Sequence, residues 1–290
     1  MEKQKIGFIG LGVMGKSMAS HIQKAGYQLY LYNRTQSKAK ELVEKGAILC
    51  STVAEVGKSA DIVFTIVGYP KDVEEVYLSD NGLVSVAHSG QLFCDMTTTK
   101  PSLEALISNK LSKKGAAFCD APVSGGDVGA RNATLSFMVG TDEETFKALS
   151  PFFSIMGKTI TLCGKVSMGQ QTKMCNQITI AGTMIGVTEA LVYGKKAGLD
   201  LTTMVNTISK GAAGCWTLDN LAPRVIKGDF APGFMIEHFV KDMGIALEEA
   251  ERMELELPGL KLVYSLYEKL NESGYSKNGT QALVKALENL

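Results

Sequence analysis

An α/β fold is what this 290-residue sequence predicts: a doubly wound, largely parallel sheet in the first half, then an all-α region joined to it by one long helix. Three observations predict it. Short apolar runs alternate with stretches of helical period as far as about residue 164, the pattern of stacked βαβ units. The texture then changes, and residues 167 to 198 hold no proline and no strong strand run. Beyond them only helical periods recur, with Pro232-Gly233 and Pro258-Gly259 read as breaks.

Taken in order, Lys5–Ile9 reads as a strand, Met14–Ala25 as a helix and Gln28–Tyr32 as a second strand. Ser37–Lys45 is helical, Asp61–Val67 strand-like and Val73–Leu78 a short helix. Gln91–Asp95, Ala116–Asp120, Leu135–Val139 and Thr159–Leu162 are the remaining strands, with helices at Pro101–Lys114 and Glu143–Ser154. The last two strands are the ones expected to pair differently from the rest. A helix over about 167–197 follows, then helices at Leu201–Ser209, Glu237–Met253, Leu260–Ser273 and Gln281–Leu290. The domain boundary falls between 164 and 165, giving a 1–164 sheet domain and a 165–290 helical domain. Gly182, Gly186, Ala190 and Gly194 recur every four residues along the long helix, so they share one narrow face of small side chains. That face suits close packing of another backbone and a homodimer or homotetramer.

Composition excludes several classes. Thirty basic and thirty acidic residues cancel, which argues against a nucleic-acid partner, since counterion-driven binding needs an excess of Lys and Arg. The six cysteines are scattered without a Cys-x-x-Cys pair and mostly flanked by apolar residues, so buried free thiols in a reducing, cytoplasmic compartment are expected. His21, His88 and His238 have no metal-ligand spacing, and no metal is expected. The N-terminus runs almost at once into Ile6-Gly7-Phe8-Ile9, so no leader is expected. The most apolar stretch, 178 to 194, is too short and too polar to span a bilayer of about 30 Å.

The first chemistry lies in Gly10-Leu11-Gly12-Val13-Met14-Gly15, a Gly-x-Gly-x-x-Gly run between a strand and a helix. In that setting the first glycine permits a tight turn, the second lets backbone approach a pyrophosphate, and the third allows close helix–sheet contact. The helix N-terminus adds unpaired N–H groups and a positive dipole end. A Rossmann-type dinucleotide site is the reading; glycines used only for packing are the alternative. At the end of the second strand, where NAD enzymes carry Asp or Glu for the ribose hydroxyls, stand Asn33-Arg34-Thr35. No carboxylate there repels a 2′-phosphate, and Arg34 offers a planar donor fork, so NADP(H) is favoured and NAD(H) is the alternative. A solvated loop arginine is the blander reading. Val67, at a strand end, is placed to line the adenine side.

Three further segments sharpen the picture: Asp120-Ala121-Pro122-Val123-Ser124-Gly125-Gly126, then Gly169-Gln170-Gln171-Thr172-Lys173-Met174-Cys175-Asn176-Gln177 on the long helix, then Lys241-Asp242-Met243. Together with the glycine run they resemble the β-hydroxyacid dehydrogenase family, the group of 3-hydroxyisobutyrate dehydrogenase, tartronate semialdehyde reductase and the glyoxylate/succinic semialdehyde reductases. The resemblance covers nearly the whole chain and implies a 6-phosphogluconate dehydrogenase-like C-terminal domain. It also implies that Lys241 contacts the cofactor and that Thr98 approaches its nicotinamide end. The Asn33-Arg34-Thr35 turn is most similar to that of the family's NADPH-using aldehyde reductases. One departure stands out: the family often carries two asparagines where this chain has Asn176-Gln177.

The residues support the same chemistry on their own terms. Lys173 and Asn176 are three apart, hence on one helical face. Alcohol oxidation removes a hydroxyl proton as hydride leaves, and a lysine in an apolar neighbourhood can take that proton or return it. Asn176 can orient the same oxygen without titrating. Ser124, Gly125 and Gly126 suit a substrate carboxylate, with exposed backbone N–H groups and a hydroxyl donor; an ordinary turn is the alternative. Asp127 is read as a helix cap. Lys241, near an expected helix start, opposes the dipole there and so needs another reason for its presence. Gly211 to Trp216 is either a pocket wall or a packing segment.

The expected substrate is a small anionic carbonyl or its hydroxyacid. Two other readings of the scaffold are an imine reductase and a non-catalytic NADP-sensing protein. Both kinds of relative usually lack the lysine that this chain keeps at 173.

Overall fold

The computed structural model describes residues 4–287. Its sheet has nine strands among the described residues: β1 (Ile6–Ile9), β2 (Leu29–Tyr32), β3 (Ile48–Leu49), β4 (Ile62–Thr65), β5 (Leu92–Asp95), β6 (Ala117–Asp120), β7 (Val123–Ser124), β8 (Leu135–Gly140) and β9 (Gly157–Gly164). The order β3-β2-β1-β4-β5-β6 is parallel throughout and reverses direction between β1 and β4. Such a reversal leaves a crevice beyond the carboxyl ends of the strands, where open α/β sheets bind ligands. As expected, the late strands break the pattern. β8 runs antiparallel to β6, β7 pairs with the next residues of β8 in the same sense, and β9 lies parallel to β8.

Parallel strands are covered on both faces, which explains their almost continuous apolar runs. Phe8, Phe64, Cys94 and Cys119 enter one core with Phe152 and Phe153; Ile9, Val63, Phe93 and Phe118 enter the other with Tyr77 and Ile107. The register sets one row across the sheet's carboxyl edge: Tyr32, Ile9, Thr65, Asp95 and Asp120. The candidate residues follow directly after that row.

The long helix is continuous over Met168–Lys196, 29 residues. Its first turn is held by Asp120, whose Oδ1 accepts from Ser167 N at 2.6 Å and Oδ2 from Gln170 N at 2.7 Å. A carboxylate at a helix N-terminus satisfies orphan donors and complements the dipole. Two compact units divide inside this helix, between Lys173 and Met174, nine residues beyond the boundary expected from sequence. The second unit is helical, with Leu201–Ile208, Ile236–Arg252 and Pro258–Leu270 as its larger remaining helices. Its core gathers Met184, Phe239, Met243, Val263 and Tyr267, and the Tyr267 hydroxyl donates to Thr280 O at 2.7 Å.

Several expectations need correction. Pro258 opens its helix instead of preceding a break, since proline is well placed in a first turn where its missing N–H costs nothing. That helix stops at Leu270 and passes into a five-residue π turn. The C-terminal segment is a 3₁₀ turn at Thr280–Leu283 and a short helix at Val284–Leu287; residues 288–290 lie outside the described residues. β3 and the helices at Val53–Ser59, Leu83–Val86, Trp216–Asn220 and Ala222–Ile226 were not expected. Cys50, Cys94 and Cys119 are buried, but Cys163 and Cys215 are half-buried and Cys175 is exposed. No described helix is long and apolar enough to cross a membrane.

Candidate active site

β1 ends in the glycine run. Gly10 has φ +97°, and a Cβ there would overlap the Ile66 carbonyl; one on Gly15 would overlap the Gly10 carbonyl. Those two glycines let the helix at Gly15–Lys24 start hard against the sheet. Gly12 differs, because a Cβ there meets nothing within 4 Å, so this backbone faces open space. A groove beside it is lined by Gly12, Val13 and Ser37 with three lysines (Lys16, Lys38, Lys40) and two glutamates (Glu41, Glu44), none of these charged residues singled out from sequence. The exposed backbone and helix start fit a dinucleotide's phosphates, beside a rim of mixed charge in which Lys16 pairs with Glu41 at 2.8 Å. Met14 and Val13 complete the loop, and Val13 is exposed.

Asn33 sits one residue past β2 and acts on the loop itself. Its Oδ1 accepts from Leu11 N at 2.7 Å, and its Nδ2 donates to Thr35 O at 2.8 Å. The asparagine thus braces the glycine turn to the specificity turn, whatever else it touches. Arg34 is 85% exposed at its side chain, and its Nη1 stands 3.5 Å from Asp72 Oδ1. A carboxylate absent from the Asn33-Arg34-Thr35 turn therefore arrives from the first turn of the helix at Pro70–Leu78. Asp72 also accepts from Tyr69 N at 3.0 Å, which holds it in place. Sequence position alone gave no sign of it.

β4 and β5 deliver Val67 and Thr98. Val67 N donates to Thr97 Oγ1 at 2.9 Å. Thr97 and Thr99 are buried, and Thr98 between them is half-buried. Thr97 N and Oγ1 both donate to Asp95 Oδ1, at 3.1 and 2.7 Å, as does Thr65 Oγ1 at 2.7 Å. Gln170 then ties this segment to the long helix: its Oε1 accepts from Thr99 N at 3.1 Å, and its Nε2 donates to Thr97 O at 2.7 Å and Glu104 Oε1 at 2.9 Å. Lys173, one turn further along, is only 6% exposed. Burial dominates the ionisation of the carboxyl groups in this network. It pushes Asp95 up from the usual carboxylate range and Glu104 well above it, and raises Asp120 to about 7.

Ser124 ends β7 and pairs in register with Ser136 of β8. Gly125 (φ +126°) and Gly126 (φ +62°) both adopt left-handed backbone, and Gly125 is exposed. Asp127 is not a cap: Gly125 holds that position without a side-chain bond, and Asp127 Oδ2 pairs with Arg131 Nη1 at 2.6 Å.

In the second unit, Asn176 is half-buried and donates through Nδ2 to Gln177 Oε1 at 2.7 Å. Gln177 Nε2 donates to Asp242 Oδ2 at 2.6 Å, and Lys241 Nζ lies 3.0 Å from Asp242 Oδ1. Gln177, the departure from two asparagines, thus links Asn176 with the Lys241–Asp242 pair. The dipole argument for Lys241 does not hold, because its helix starts at Ile236 and places it beyond the first turn, where the effect has faded. Lys241 also helps burial lower the pKa of His238. Trp216 is 68% exposed at a helix start. Among the described residues no cluster of His, Cys, Asp or Glu could hold a metal.

A glycine turn braced by a neighbouring strand, at the reversal point of a parallel sheet, defines a dinucleotide-binding protein. The comparisons carry this further. Residues 5–164 match the NAD-binding domain of 6-phosphogluconate dehydrogenase, and residues 167–287 match the NAD-binding family of NADP-dependent 3-hydroxyisobutyrate dehydrogenase. An uncharacterized oxidoreductase of Bacillus subtilis, YkwC, is 53% identical, over 98% of each chain. The 2-hydroxy-3-oxopropionate reductase of Escherichia coli is 38% identical, over 98% of this chain and 97% of its own. A Mycobacterium tuberculosis 3-hydroxyisobutyrate dehydrogenase solved with L-serine superposes with a TM-score of 0.91 at 27% identity, over 99% of each chain. The chain belongs to the β-hydroxyacid dehydrogenase family and is an NAD(P)-dependent oxidoreductase acting on CH–OH donors.

Proposed function

We propose that this enzyme interconverts a small carboxylic-acid semialdehyde, or a similar acidic carbonyl, and its hydroxyacid, with NADP(H) as cofactor and Lys173 as general acid and base. The observation that carries the reading is the burial of Lys173, at 6% exposure, on the turn that follows the Gln170 clamp. Lysine is almost never fully buried without a paired or chemical use. Asn176, three residues on, shares that helical face. The relatives named for 2-hydroxy-3-oxopropionate and for 3-hydroxyisobutyrate, the latter solved with L-serine, support a small substrate bearing a carboxylate and a hydroxyl. Arg34, and the NADP-dependent family matched over residues 167–287, support NADP(H) over NAD(H).

When bound, the nicotinamide exchanges hydride with the carbonyl carbon. This chain's part is the proton and the positioning. In reduction, the Lys173 ammonium gives a proton to the carbonyl oxygen as negative charge develops there; in oxidation, the neutral amine takes it back. Asn176 orients that oxygen. Ser124 and the backbone N–H groups of Gly125 and Gly126 hold the carboxylate, while Gly10–Gly15, Asn33, Arg34, Thr35, Val67, Thr98 and Lys241 serve the cofactor. We place the enzyme in the cytoplasm, where the buried Cys50, Cys94 and Cys119 stay reduced. We read it as a homodimer or homotetramer, with Gly182 and Gly186 facing open space along the long helix while Gly194 is covered by Met204.

The test follows NADPH oxidation with succinic, tartronate and methylmalonate semialdehydes, glyoxylate, butanal, a cyclic imine and no substrate. Acidic aldehydes should turn over, butanal poorly and the imine not at all. Lys173→Ala should lower turnover by roughly 10²–10⁴-fold with NADPH binding nearly intact, the scale of general acid–base catalysis. Equal rates for butanal and succinic semialdehyde would remove the anion site, and a mutant retaining most of its rate would make Lys173 a bystander.

A further inference from the structure

Beneath the Thr97–Thr99 segment lie two carboxyl groups with one hydrogen-bonding problem between them. Asp95 Oδ1 accepts three donors, from Thr65 Oγ1, Thr97 N and Thr97 Oγ1. Its Oδ2 is buried and has no N–H or hydroxyl partner. Glu104, on the helix Pro101–Ser112, is fully buried; its Oε1 accepts from Gln170 Nε2, and its Oε2 is likewise without such a partner. The orphaned oxygens leave each carboxyl as the other's remaining partner, and a hydrogen bond between the two lowers the Asp95 pKa while raising that of Glu104. Two ionised carboxylates cannot make that bond, because both would be acceptors and both would carry charge in a low-dielectric interior. One proton must therefore sit between them. Three donors on Asp95 against one on Glu104 favour the ionised form of Asp95, which leaves the proton on Glu104.

We infer that Glu104 is carried as the neutral acid, donating to Asp95, and that the pair acts through Gln170 as a positioning device between the Thr97–Thr99 segment and the helix turn bearing Lys173. The inference rests on the roles proposed above for Thr98 and Lys173.

The logic is one of assigned donors and acceptors. With its proton spent on Asp95, Glu104 presents Oε1 only as an acceptor, so the Gln170 amide must turn its Nε2 toward it. The second hydrogen on Nε2 then reaches Thr97 O, and Oε1 is left for Thr99 N. All three bonds are made in only one orientation of the amide. Thr98 is thereby pinned on both sides, from a residue one turn before Lys173. Glutamate at 104 is thus not a misplaced charge; an apolar residue there would leave a buried donor on Gln170 unsatisfied. The other titratable groups coupled to the pair are Asp120 on β6, Cys94 on β5 and Tyr77 on the helix Pro70–Leu78. Ionising Glu104 would add a second charge beside Asp95 and remove the donor between them.

Glu104→Gln separates this device from a merely structural contact. A glutamine can accept from Gln170 and donate to Asp95, reproducing the neutral acid atom for atom. Glu104→Leu cannot, and Gln170→Met removes the clamp while leaving the pair intact. With NADPH and the best semialdehyde of the panel, Glu104→Gln should keep kcat within about twofold. Glu104→Leu and Gln170→Met should lose on the order of 10–10² in kcat with the KM for NADPH little changed, as for a misplaced reacting group. Infrared difference spectroscopy on the holoenzyme, wild type minus Glu104→Gln, should show a protonated carboxylic-acid carbonyl band. Full activity in Gln170→Met would overturn the positioning role, and a Glu104→Gln enzyme as impaired as Gln170→Met would overturn the neutral acid. The infrared band needs no turnover, so its absence defeats the shared proton even if the substrate reading has failed, and its presence upholds that part alone.

Discussion

Exposed Arg34 and largely covered Asp72 form a pair at the edge of the cofactor site, 3.5 Å apart. At 3.5 Å and with the guanidinium largely in water the pair contributes little, so a 2′-phosphate can take up Arg34 at small cost and gain two charge-assisted bonds. Arg34→Ala should therefore weaken NADPH binding about fivefold or more and leave NADH binding nearly unchanged, the scale of about 1–2 kcal/mol for bonds to a charged group at an exposed site. Fluorescence titration with both cofactors checks it; equal losses would remove Arg34 from the site. At this scale the sequence was legible where spacing carries the message, as in Gly10, Gly12 and Gly15. It was opaque where a side chain arrives from another element. Asp72, Glu104 and Asp120 reach their partners across 38 to 66 residues of chain, and no local pattern announces them. Gly125 shows a further limit. Its φ of +126° and its close approach to Leu135 mean that a larger residue would strain the turn before it could block an anion, so backbone conformation stands ahead of any binding role.

Helices and strands with a strong period were readable, and the long helix was placed to within a residue or two of its ends. The four-residue parallel strands stood out as apolar runs, but β3 and the helices at Leu83–Val86 and Trp216–Asn220 did not, because so few residues complete no hydrophobic period. Their stability comes from what they pack against, as Leu83 and Leu218 do in the cores. Caps are intermediate, being local chemistry with a residue signature. The helix Glu143–Met156 illustrates this: Asp142 Oδ1 accepts from Thr145 N at 2.8 Å and its Oδ2 from Thr145 Oγ1 at 2.9 Å. Those bonds hold the Asp142 carboxyl below its usual range. Asp142→Ala should cost about 1–2 kcal/mol, the upper half of what N-cap removal brings, because the helix packs Phe152 and Phe153 into the core. Chemical denaturation at neutral pH measures it, and an unchanged midpoint would mean that the cap is idle.

Across the whole molecule, ionisation is divided between two populations with opposite linkage. Asp142, Asp200 and Asp229 have lowered pKa values through their hydrogen bonds, so their stabilisation is present above the ordinary carboxylate range and is lost as pH falls through the folded values. Asp200 and Asp229 are fully solvated, which leaves Asp142 as the main member. Asp95, Glu104 and Asp120 lie on the other side. Their folded pKa values are raised, Asp120 to about 7, so between the unfolded values and the folded ones the native chain holds more protons than the unfolded chain. Stability from this group is fully present below the unfolded values and declines as pH rises through the folded ones. The thermal midpoint should therefore be highest at weakly acidic pH and fall as pH rises through about 7, where Asp120 titrates. Glu104→Gln removes one titrating member without removing its hydrogen bonds. It should match wild type at weakly acidic pH and exceed it at alkaline pH, flattening the alkaline limb. Calorimetry of both proteins across that range decides the matter, because parallel curves would mean that Glu104 does not change ionisation between the folded and unfolded chain.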